Sequence, residues 1–190
     1  MKLLATLLVS MVAVARSAGA QVEVRATRAI EGGRPSVAAD SMPRAIAEAE
    51  AQGARHPRAE VNNPLQNAPG MAPGSNERKC VSVDGFNAAR SGDFVAGAFS
   101  GYDQAWRTGY GKVWWQPANA TRDHAPPLIV RATRLGQGDA TRVFEFPDIT
   151  VPVGSNMLFY PSGTHVPTTG QWMLVATAGP NWGCFLLTVH

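Results

Sequence analysis

The chain has 190 residues, of which 16% are charged and 45% hydrophobic, with a formal net charge of +3. The length alone would allow a single domain, and so small a net charge says little about nucleic-acid or membrane partners. All fifteen aromatic residues lie between Phe86 and Phe185, so the core is expected in the C-terminal part, and the stretch from Gln21 to Cys80 is poorly equipped to build one.

Residues 1–20 read as a signal peptide. Lys2 gives a positive start, Leu3 to Ala15 is almost wholly apolar, and Ala18 and Ala20 fit a small-residue cleavage site. The apolar run is shorter than the roughly 20 residues a membrane span needs, and no second candidate follows, so the mature chain is expected to have no transmembrane segment. Subtracting Lys2 and Arg16 from the charge of +3 leaves +1. Export, to the periplasm or the medium, is the expected localisation.

Residues 21–78 read as a flexible Ala/Pro/Arg-rich segment of low complexity. One short helix is expected from Met42 to about Gln52, with Ser41 as cap and Pro43 in the first turn. Ile46 is its only large aliphatic side chain, so it offers little area to offset the entropy of ordering.

Residues 79–190 change to short strand-like runs broken by Gly, Pro, Asn and Asp. Strands are expected at 79–84, 93–100, 112–116, 128–135, 142–146, 156–160, 171–178 and 184–189, the last two joined by a turn over Gly179 to Gly183. With no helix-length amphipathic pattern between them, the expected fold is all-β: two packed antiparallel sheets, a β-sandwich, with a small barrel as the competing solution. Cys80 opens this region and Cys184 lies in its last strand. An even cysteine count in an exported chain points to a structural disulfide between them, closing the domain.

The runs Gly111-Lys112-Val113-Trp114-Trp115-Gln116-Pro117, Leu128-Ile129-Val130-Arg131-Ala132, Tyr160-Pro161-Ser162-Gly163 and Val166-Pro167-Thr168-Thr169-Gly170-Gln171-Trp172 resemble a loose group of uncharacterised bacterial exported proteins. The resemblance covers about residues 101–190 and implies a small immunoglobulin-like β-sandwich behind a secretory or lipoprotein leader. Members of the group often carry Cys where this chain has Gln171, and no lipobox cysteine stands near Ala20, so soluble export fits better than a lipid anchor. The group implies no catalytic role.

Adjacent Trp114 and Trp115 on a strand must face opposite ways, so one indole is free to reach a surface. Trp115 and Trp182 are the expected ligand-binding anchors, with Arg107 and Asp103 orienting the ligand by hydrogen bonds; Tyr102, Tyr110, Arg122 and Asp123 are further candidates if their loops converge. The expected partner is a protein or carbohydrate. Nucleic acid is not expected, because Val81 to His190 carries seven Lys or Arg against seven Asp or Glu.

Hydrolytic chemistry has ingredients in Ser162 and His165 with Asp148 or Asp123, but Pro161-Ser162-Gly163 reads as a turn, without the strand-to-helix setting of a nucleophile elbow. His124, His165, Met157, Met173 and His190 are possible metal ligands without compact spacing, so no metal, cofactor or catalytic residue is assigned. The sequence therefore favours a noncatalytic extracytoplasmic binding or cell-envelope structural module. A weak hydrolase or a metal-binding protein using the sandwich loops is the alternative.

Overall fold

A computed structural model describes residues 42–62, 65, 68, 70–74, 76–100, 112–136, 140–151 and 156–190. The expected leader and the candidates Tyr102, Asp103, Arg107 and Tyr110 lie outside the described residues. Among the described residues one helix, α1 (Met42–Arg55), precedes nine strands: β1 (Cys80–Ser82), β2 (Ala88–Ser91), β3 (Phe94–Gly97), β4 (Val113–Pro117), β5 (Leu128–Arg134), β6 (Thr141–Phe146), β7 (Tyr160–Ser162), β8 (Gly170–Ala178) and β9 (Asn181–Val189).

The strands form a five-stranded sheet, β1-β9-β8-β5-β6, and a four-stranded sheet, β2-β3-β4-β7. Phe94, Ala96 and Trp115 of the smaller sheet share one buried cluster with Leu128, Val130, Ala132, Leu174, Ala176, Phe185 and Leu187 of the larger. Trp115 is its centre: the rings of Phe94 and Phe185 meet it edge-on at 6.5 and 5.4 Å. Strand alternation produces this sharing, since Leu128, Val130 and Ala132 are buried while Ile129 and Arg131 are exposed.

Three details depart from the sequence reading. β1 runs parallel to β9, with Cys80 opposite Cys184, so the sheets are mostly rather than wholly antiparallel. The strand expected over 156–160 is instead β7, starting at Tyr160. The turn between β8 and β9 is tighter than expected: Ala178 pairs with Asn181, leaving Gly179 and Pro180 as the connection. Gly179 has φ 55°, the left-handed backbone that the first residue of such a two-residue turn requires, and a Cβ there would meet Pro126 at 2.8 Å.

Candidate functional site

On the face of the five-stranded sheet turned away from the shared core, Trp182, Cys184 and Leu186 of β9 alternate with the inward Phe185 and Leu187. Together with Met173 and Leu135 they receive Ala45, Ile46 and Ala49 of α1. Gly53 makes the close approach possible, because a Cβ there would stand 2.6 Å from the Trp182 indole. The helix thus lies over the disulfide joining Cys80 and Cys184.

Charged groups fasten α1 at its end and flank. The Arg78 guanidinium donates to the carbonyls of Gly53 (2.8 Å) in the last turn of α1 and of His56 and Pro57 (2.6 Å) just past it, setting a cation at the negative end of the helix dipole. It also pairs with Asp93 Oδ2 at 2.6 Å. The same Asp93 oxygen accepts from the Trp182 amide at 3.1 Å, so one carboxylate ties the helix clamp to both sheets. Glu50 accepts from the Cys80 amide (3.0 Å) and from Lys79 Nζ (3.3 Å). A cleft of about 720 Å³ runs beside α1, floored by Ala47, Ala51 and Ala54 and edged by Arg58 and Glu77. Arg78, Asp93, Glu50 and Lys79, which also line it, are engaged with backbone or with one another, so this set holds structure in place.

The proposed aromatic anchors do not converge. Trp115 is fully buried in the shared core, and Trp182 is 2% exposed beneath α1, in a separate cluster on the other side of the sheet. This corrects the expected recognition surface through Trp115 and Trp182: β4 turns Trp115 inward, and docking of α1 covers Trp182. The half-buried member of the pair is Trp114, whose indole lies over Gly97 where a Cβ would come within 2.3 Å.

Ser162 is likewise buried. Its hydroxyl accepts from Trp115 Nε1 at 2.8 Å, donates to the Val113 carbonyl at 2.9 Å and lies 2.8 Å from Thr164 Oγ1. Ser162, Thr164 and Val166 are buried while His165 is exposed, so alternation separates serine from histidine. A nucleophile so engaged and so far from solvent does not serve hydrolysis. Tyr160 next to it donates to the Pro126 carbonyl, and burial pushes its phenol up to about 12.

No protein-family model, curated protein or solved structure matches the chain. Among the described residues no helix is long and apolar enough to cross a membrane, and no three His, Cys, Asp or Glu side chains gather as metal ligands.

A second surface was not singled out by sequence reasoning. β6 ends the five-stranded sheet, pairing with β5 alone among the named strands. On the outer face of this pair, Val143 is 39% and Ile129 38% exposed, beside the exposed Arg131 and Glu145. The available signal was the Val-Phe alternation in Thr141 to Phe146. It reads as two useful faces but cannot say which edge stays open.

Proposed function

We propose that the protein is an exported, noncatalytic binding or structural module of the cell envelope, periplasmic or secreted, built as an immunoglobulin-like sandwich. The observation that carries the reading is the Cys80–Cys184 bond, which closes the first strand onto the last and suits an oxidising compartment. Two sheets around one shared core support the sandwich, and the leader-like residues 1–20 support export. Contact is assigned to the outer face and free edge of β5 and β6, where exposed Ile129 and Val143 stand among charges of both signs, a composition suited to a protein partner.

Expression with its own leader in a bacterial host tests the reading. The expected product lies in the periplasm or medium, has lost residues 1–20 by intact mass, and shows no free thiol without reductant. Full-length protein retained in the cytoplasm with both thiols free would overturn it.

A further inference from the structure

Backbone hydrogen bonds fix which groups the free edge of β6 presents. The Arg134 amide donates to the Ala140 carbonyl at 3.0 Å, one step beyond the Thr133–Thr141 pair. In an antiparallel ladder bonded pairs alternate, so 142, 144 and 146 turn their amides and carbonyls toward β5. Those of Thr141, Val143 and Glu145 therefore point away from it. Among the described residues this edge has no backbone partner, so it offers three donors and three acceptors, flanked by Val143, Arg142 and Glu145, all solvent-exposed.

From this register we infer that β6 pairs antiparallel with β6 of a second copy of the chain, with Val143 on the two-fold axis. The inference rests on the reading of the protein as a module that acts by contact. Symmetry about a two-fold normal to the sheet allows only pairings centred on a residue, and sequence selects among them. Centring on Arg142 or Glu145 would set identical charges face to face. Centring on Phe144 would place Thr141 opposite Pro147, which has no N–H to give. Centring on Val143 pairs Val143 with its mate and Thr141 with Glu145. All three outward residues then exchange bonds, about six in total, and no like charges meet. On the other face Arg142 falls opposite Phe144, a cation beside an aromatic ring already stacked on Phe146 at 6.5 Å. Pro147 then stops the ladder where β6 ends. The result is a continuous ten-stranded sheet with the helix-covered faces of both copies on the same side.

Sedimentation of the mature, oxidised chain over a range of concentrations tests this, alongside Val143→Lys and Val143→Cys. The wild type is expected as a concentration-dependent dimer. Val143→Lys, which sets two ammonium groups opposite each other, is expected to raise the dissociation constant at least tenfold while tryptophan emission stays native. Val143→Cys is expected to form an intermolecular disulfide, because bonded antiparallel partners sit about 5.5 Å apart at Cα, within disulfide range. A wild type that stays monomeric, a Val143→Lys chain that dimerises equally well, or a native-folded Val143→Cys chain that yields no cross-link overturns the pairing. A chain that is exported and oxidised but monomeric leaves the envelope reading standing; a reduced cytoplasmic chain removes that reading whatever its oligomeric state.

Discussion

Tyr160 must stay neutral to remain where it is, since its ring is buried in the shared core and its hydroxyl donates to the Pro126 carbonyl. The phenol, pushed up to about 12 by burial, holds its proton while the unfolded chain ionises from about 10, so the native state binds more protons between those values. Stability from this residue is complete below pH 10 and declines as pH rises toward 12, by on the order of 2 kcal/mol. Denaturant titrations from pH 8 to 11.5 should show that decline, and Tyr160→Phe should flatten it. An equal alkaline slope in both proteins would refute the assignment. Adjacent Trp114 and Trp115 show what was readable at this scale: alternation required opposite faces, but only the pairing of Trp115 with Ala96 and Tyr160 decides that it is the one facing inward.

Helix α1 has an alanine-rich face, yet it docks because β8 and β9 supply the large side chains it lacks and Gly53 admits the Trp182 ring. The sequence placed the helix but ended it near Gln52, one turn short of Arg55. Its extension depends on Arg78, a cap 22 residues downstream of His56 that local spacing does not reveal. Arg78→Ala should remove hydrogen bonds from a charged donor worth roughly 1.5–3 kcal/mol each and leave Asp93 without its cation. Local opening should then make trypsin cleavage after Arg55 and Arg58 faster by about tenfold or more, with the disulfide intact. Unchanged cleavage would show that the apolar face alone holds the helix. β2 illustrates a different limit: Ala88-Ala89-Arg90-Ser91 has no β-branched or aromatic residue, so only its pairing with β3 makes it a strand.

Across the whole molecule, the Cys80–Cys184 bond spans 104 residues and holds the short parallel pair of β1 on β9. For a loop of that length the chain-entropy model gives about 4–5 kcal/mol, and loss of a native bond commonly costs about 2–5 kcal/mol. Replacing both cysteines by serine should lower unfolding free energy by that amount in denaturant titration; a change under about 1 kcal/mol would mean that β1 and α1 hold the fold without it. The cysteine partners were readable because only two exist, whereas the parallel direction of β1 arises from tertiary pairing that no local pattern encodes. The bond also sets how the protein carries mechanical load. Tension applied between α1 and the end of β9 passes from residue 80 directly to residue 184, bypassing the intervening chain. Roughly 350 Å of potential extension therefore stays out of the line of force, so that, stretched from those two sides, the protein passes load through the segment before Cys80, the bond and the end of β9, and the chain between the two cysteines is not drawn out.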